Sequence, residues 1–174
     1  FYSTSATKRL MHSIQHFNPD IIHLHNLHGY YLDIRVLFEF LKNYGKPVVW
    51  TLHDCWAFTG HCAYFSFVNC DKWKTGCGDC PRNREETNSF FLDGTARSYK
   101  KMKRAFYGFD DKLTVVSVSA WLMERAKQSP ILKDKKHTVV MNGLDTDIFH
   151  IYDTESIKKK YRITDEKIIF YAAP

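Results

Sequence analysis

All five cysteines of this chain lie between positions 55 and 80, in the run HDCWAFTGHCAYFSFVNCDKWKTGCGDCP. Thiols gathered this closely are candidates for metal ligation, disulfide formation or nucleophilic attack. Four follow the spacing Cys62-x7-Cys70-x6-Cys77-x2-Cys80. The closing CxxC, with Pro81 after it, suits a knuckle whose backbone amides face thiolate sulfurs. A closed tetrahedral Zn2+ site at Cys62, Cys70, Cys77 and Cys80 would then fold an otherwise floppy insertion. Partial disulfides and free buried thiols are the alternatives, and an iron–sulfur cluster would use the same ligands. An odd cysteine count without a secretory signal favours reduced thiols over a disulfide framework.

The fifth thiol, Cys55, follows His53 and Asp54 directly. A Cys/His nucleophilic pair needs the two side chains to converge, whereas neighbours leaving a strand diverge, so Cys55 reads as a packed thiol. His53 itself offers a neutral imidazole that can donate to a hydroxyl or orient a leaving phosphate; the plain alternative is a histidine bonded to local backbone. Asp54 either orients His53 or begins the loop. Upstream, His25, Asn26 and His28 form a second polar group. His23 and His25 alternate onto one strand face, which raises a metal reading, but no carboxylate or thiol nearby in sequence completes a ligand set. Among the loop's aromatics, Trp56, Phe58, Tyr64, Phe65, Phe67 and Trp73, most should pack the loop and one or two can serve as platforms for a sugar ring.

These residues need a scaffold, and short apolar runs alternate with amphipathic stretches along the chain. Helical spacing over residues 7–17 stops at Asn18-Pro19, and residues 21–24 read as a buried strand. A helix over 30–43 ends at Gly45 and Pro47, and PVVWTL, 47–52, is a second strand. Beyond the cysteine loop come a basic helix at 94–106, a strand at 112–118, a helix capped by Ser119, and a strand at 138–141. Strands separated by helix-length segments imply parallel pairing through crossovers, hence a Rossmann-like α/β sheet with helices on both faces. In such sheets ligands sit beyond the carboxyl ends of the strands. That rule gathers residues 23–28, 53–55 and 117–120, Ser119 included, at one edge.

Composition sets the limits. With 174 residues, 44% hydrophobic and 16% aromatic, the chain builds a real core and is not disordered. The net charge of +6, from 25 basic and 19 acidic residues, is dispersed, though a basic surface helix also suits anionic substrates or an anionic membrane face. No segment reaches the roughly 18 to 20 apolar residues that a membrane span requires, and FYSTSATKRL lacks a signal peptide's apolar region, so a soluble, cytoplasmic chain is expected. It starts without Met and ends within an apolar run at 168–174, which points to a piece of a longer protein.

The strings PDIIHLHNLHGYYLDI, PVVWTLHDCWAFTGHC, VVSVSAWL and VVMNGLDTDIF, in that order, resemble the retaining GT-B glycosyltransferases of family 4. The branch they match assembles bacterial extracellular polysaccharide and includes colanic-acid type enzymes. The resemblance implies two Rossmann-like domains facing a cleft, the first holding the acceptor and the second chiefly the nucleotide diphosphate sugar donor. Residues 1–143 then form a partial acceptor-side domain with the cysteine-rich loop at 54–82. Residues 144–174 form the interdomain connection, with a first strand of the donor domain at 168–171. The family's glycine-rich loop and its basic pair and paired glutamates do not occur in this stretch, so the fragment alone is expected to be inactive.

On the same resemblance, His53 is the catalytic-position imidazole that lines the cleft, and His25, Asn26, His28, Asp54 and Ser119 contact substrate. The implied reaction is retaining hexosyl transfer to a glycan or lipid-linked acceptor in surface-polysaccharide synthesis, without a metal at the diphosphate and with peripheral contact to the inner membrane face. A non-catalytic, zinc-stabilised α/β module that binds a glycan or a partner is the alternative. Lys72, Lys74, Arg82 and Arg84 flank the knuckle, yet the pattern around them is that of a sugar-nucleotide enzyme, so no nucleic-acid partner is expected.

Overall fold

The computed structural model describes residues 3–87, 91–109 and 111–164, so the strand expected at 168–171 lies outside the described residues. The chain separates into two compact units, the first ending at Met141 and the second beginning at Asn142.

In the first unit four strands, β1 (Ile22–Leu24), β2 (Val48–Leu52), β3 (Leu113–Ser117) and β4 (Lys136–Val139), form one parallel sheet in the order β1-β2-β3-β4. Five helices accompany it: α1 (Thr4–Phe17), α2 (Ile34–Tyr44), α3 (Asn83–Thr87), α4 (Thr95–Phe106) and α5 (Ala120–Gln128). This is the expected Rossmann-like α/β architecture. The β-branched runs in VVWTL and LTVVS favour extended backbone, and their burial fits strands sandwiched in a parallel sheet. The register aligns Leu24 with Trp50 and Trp50 with Val115. Residues 48, 50, 52, 113 and 115 are buried, whereas the intervening Val49 and Thr114 are half-buried. Phe38 of α2 and Phe106 of α4 both pack against Trp50, with ring centroids 5.4 and 5.0 Å away, so these two helices cover the same face of β2.

Three elements differ from the sequence reading by two residues or more, the first being α1, which begins at Thr4 instead of residue 7. The helix expected from residue 30 begins at Ile34, because Gly29 and Tyr30 adopt positive φ (110° and 66°) and Asp33 provides the cap. β4 is shifted two residues toward the N-terminus, since pairing starts at Lys136 opposite Thr114; Val140 adds one more bond, its N–H donating to the Ser117 carbonyl at 3.1 Å. At the sheet's edge it alternates exposed and half-buried residues, so its apolar run was a poor guide to its start.

The cysteine-rich insertion is more ordered than a metal-dependent loop. It folds through three short 3-10 turns, Trp56–Phe58, Ser66–Val68 and Lys72–Lys74, around its own aromatic centre. Phe58 and Trp73 are fully enclosed, with ring centroids 5.7 Å apart, and Phe65 stacks on Trp73 at 4.7 Å. The Tyr99 hydroxyl donates to the Trp73 carbonyl at 3.0 Å, and the Ser129 hydroxyl to the Phe58 carbonyl at 3.0 Å. The insertion expected to be floppy without a metal is thus packed around its own rings, and burying three large aromatic side chains supplies a driving force for that. Gly60 is the point of closest approach. A Cβ there would lie 2.6 Å from both the Cys77 Cβ and the Thr95 carbonyl, so no side chain fits. Asp93 ties the far end of the insertion to α4, accepting from the Cys80 N–H at 2.7 Å and the Thr95 N–H at 2.8 Å.

The second unit contains α6 (Glu155–Tyr161), preceded by a turn in which Asp145 accepts from the Asp147 N–H. Among the described residues no helix is long and apolar enough to cross a membrane.

Asp33 is the most connected polar residue of the scaffold. Its buried carboxylate caps α2 through the Arg35 N–H at 3.2 Å, pairs with the Arg35 guanidinium at 3.1 Å, and accepts from the Thr4 hydroxyl at 3.1 Å, which fastens α1 to α2. Burial pushes its pKa up, but the hydrogen bonds from Arg35 and Thr4 outweigh that and hold it below the usual 3.8. Its contribution is thus complete above that value and fades as the pH falls through the lower folded value. Asp33→Ala should cost about 2 kcal/mol in urea unfolding at pH 7. The gap to wild type should narrow in strong acid, and a pH-independent gap would refute the ionised cap.

Candidate functional site

The carboxyl ends of β1 and β2 lie side by side, and the residues just beyond them meet in two pairs. Because successive side chains leave a strand on opposite sides, His53 and Asp54 diverge. His53 Nε2 faces His25 Nδ1 at 3.1 Å, and the two rings stack with centroids 5.4 Å apart. His23 extends this row, its Nε2 at 2.8 Å from the Thr51 hydroxyl and its ring 4.3 Å from that of His25. On the other side Asp54 contacts His28 Nε2 at 2.9 Å and accepts from the Trp56 N–H at 2.8 Å. Asp54 therefore begins the insertion, and its approach to His28 Nε2 is a close contact without hydrogen-bond geometry. The His28 ring in turn lies 5.8 Å from that of Trp56.

The His25–His53 contact constrains protons. One of the facing nitrogens must donate and the other accept, so a proton shared there is unavailable to a ligand. When His25 Nδ1 donates, His53 carries its own proton on Nδ1 and presents it as a donor. The pair works as a set of positioned hydrogen-bonding groups.

His25, Asn26, His28, His53 and Asp54 all line one narrow cleft. Next to it opens a cavity of about 300 Å3, and Leu27, His28 and Trp56 form walls of both. The larger cavity is completed by Tyr30, Arg35, His61 and, from α4, Ser98, Lys101 and Met102. Ser119 lines neither; its hydroxyl is occupied as the cap of α5, accepting from the Leu122 N–H at 3.2 Å. The sequence reading missed Tyr30, Arg35, His61 and Lys101 as site residues. The only signal for any of them was the placement of Ser98, Lys101 and Met102 on one face of a helix.

Cys62, Cys70, Cys77 and Cys80 line a single hole of about 20 Å3, and the Gly60 N–H donates to Cys77 Sγ at 3.1 Å. Among the described residues, however, no three His, Cys, Asp or Glu side chains stand close enough together to hold a metal ion. No disulfide joins any of the five cysteines.

The family model of Glycosyltransferase Family 4 matches residues 2–148. The chain belongs to glycosyltransferase family 4. A putative colanic acid biosynthesis glycosyl transferase, WcaC of Escherichia coli strain K12, is 44% identical over 68 residues, which cover 36% of this chain and 16% of that protein. The chain thus spans a minor part of the length of the curated relative it matches. No solved structure matches it.

Within this family 4 chain, Cys55 can be removed from the list of reactive groups. It is fully buried, and burial, with the Asp54 carboxylate and Cys62 adding to it, pushes its pKa up to about 12. Since the thiolate is the nucleophile, such a thiol is inert at neutral pH. Alkylation by iodoacetamide at pH 8 should leave Cys55 unmodified in native protein and modify it fully in denaturant, as read by peptide mass spectrometry. Equal modification in the two states would contradict its enclosure.

Proposed function

We propose that this chain forms the acceptor-side site of a glycosyltransferase. The full-length protein would move a hexose from a nucleotide diphosphate sugar, with retention, to a glycan or lipid-linked acceptor during surface-polysaccharide synthesis. The observation that carries this reading is the juxtaposition of the His25–His53 pair and the His28–Asp54 pair at the rim of a ligand-sized cavity. In the transfer, the bond between the sugar's anomeric carbon and the diphosphate breaks as the acceptor oxygen attacks, and the acceptor's hydroxyl proton passes to the departing diphosphate. His53 touches the hydroxyls of the transferred sugar, with its tautomer fixed by His25. His28, beside Asp54, meets the incoming acceptor. Imidazoles suit this task because each ring can donate to one sugar hydroxyl and accept from another at fixed positions.

Replacing His53 by alanine in the full-length enzyme should lower turnover by about two orders of magnitude. His53 is exposed at a strand end, so thermal stability should barely change. Wild-type turnover in that variant would remove His53 from the mechanism.

A Zn2+ ion held by Cys62, Cys70, Cys77 and Cys80 belongs to the same proposal: the four thiols face one small hole but stand too far apart as placed, so an ion would have to draw them together. Such an ion would reinforce an insertion that its aromatic centre already holds. Protein purified without chelator should then contain about one zinc per chain, and its removal should lower the melting temperature without unfolding the domain. A folded, zinc-free protein with all thiols titratable would end the proposal.

A further inference from the structure

His23 lines neither the cleft nor the larger cavity, yet it heads a row of side chains that ends at His53. The row starts inside the sheet. Thr51 of β2 is buried, and its hydroxyl lies 2.8 Å from His23 Nε2. His23 stands opposite Val49 in the β1–β2 register, so Thr51, two residues on, projects from the same face of the sheet. His25 follows His23 by the same alternation, and the two rings lie 4.3 Å apart, inclined at 44°. They touch, so His23 fills space into which the His25 ring would otherwise turn. Beyond it, His25 Nδ1 meets His53 Nε2 at 3.1 Å. The main chain of His25 has a different support, since its carbonyl accepts from the Trp50 indole N–H at 3.1 Å. That bond fixes the backbone but does not choose a rotamer for the exposed ring.

We propose that His23 is a positioning residue: anchored by Thr51, it holds the ring of His25 and thereby sets which nitrogen of His53 is left free for a ligand. The proton between His25 and His53 belongs to the pair only while the two rings face each other. Once His25 turns away, His53 exchanges between its two tautomers and offers a donor in one and an acceptor in the other at the same place. A sugar hydroxyl bound there would meet the right group for only part of the time. This inference rests on the glycosyl-transfer reading for its consequence, and it adds a residue that acts without touching the sugar. A purely structural His23 behaves differently: losing its bond to Thr51 would lower stability and leave the tautomer of His53 unchanged.

The test reads ring tautomers from two-bond proton–nitrogen spectra of isotope-labelled full-length protein, with neither donor nor acceptor present. The His53 signals are identified by their absence in His53→Gln. In the wild type one tautomer of His53 should dominate. Thr51→Val, which keeps the side chain's shape and removes its hydroxyl, should raise the minor tautomer about fivefold, the change that one ordinary hydrogen bond supports. Thr51→Ser should restore the wild-type ratio. His25→Ala should also mix the tautomers, and adding Thr51→Val to it should change nothing further, because the effect runs through His25. Thr51 is buried, so circular dichroism verifies each fold; should Thr51→Val not fold, His23→Phe at its exposed position removes the same hydrogen bond and should give the same rise. An unchanged ratio in a folded variant lacking the bond, a mixed wild type, or a further change in the double variant would overturn the proposal. Turnover of His53→Ala tests the transfer reading separately, so each idea can fail alone.

Discussion

The indole of Trp50 ties the core of this domain to its site. Its ring is enclosed between Phe38 and Phe106, where it joins β2 to α2 and α4, and its N–H donates to the carbonyl of His25 at 3.1 Å. A buried donor without a partner is costly, so the first residue beyond β1 is held against β2 by the same side chain that organises the hydrophobic centre. The spacing of the His25 and His53 rings follows from that restraint together with the parallel register of β1 and β2. The imidazoles are exposed, but the backbone beneath them is fixed from below, which is the arrangement a positioned hydrogen-bonding site requires.

Strand geometry then divides the labour. One residue on from His53 the chain direction is unchanged, but the side chain emerges on the opposite side, and Asp54 serves a different neighbour. It lies against His28 and starts the first 3-10 turn of the insertion. The two polar pairs are therefore mechanically separate although adjacent in sequence. The His25–His53 pair sits in the narrow cleft, whereas His28 belongs both to the cleft and to the larger cavity.

Much of the scaffold was legible in the sequence because its signals are local. The Val-rich strands, the Gly45 stop and the Ser119 cap each announce their own structure, and the carboxyl-end rule gathered residues 23–28 and 53–55 correctly. Ser119 lies at the same edge, and its hydroxyl accepts the cap bond of its own helix while keeping an O–H that can still donate. The larger cavity was not legible. Its walls come from residues 27–35, 56–63 and 98–102, and only the packing of α4 beside α2 and the insertion brings them together. The spacing of the cysteines was visible, but the aromatic centre that orders the insertion depends on contacts with Tyr99 and Ser129, far along the chain.

Gly60 gives the cysteine loop a significance that its thiols alone do not convey. The absence of a side chain there lets the Cys77 Cβ and the Thr95 carbonyl approach from either side with no space to spare. Thr95 opens the helix whose next turns present Ser98 and Lys101 to the cavity. Atoms packed at that density transmit displacement instead of absorbing it. The loop is thus part of the frame of the cavity, packed without slack against the start of the helix that brings Ser98 and Lys101 to its wall.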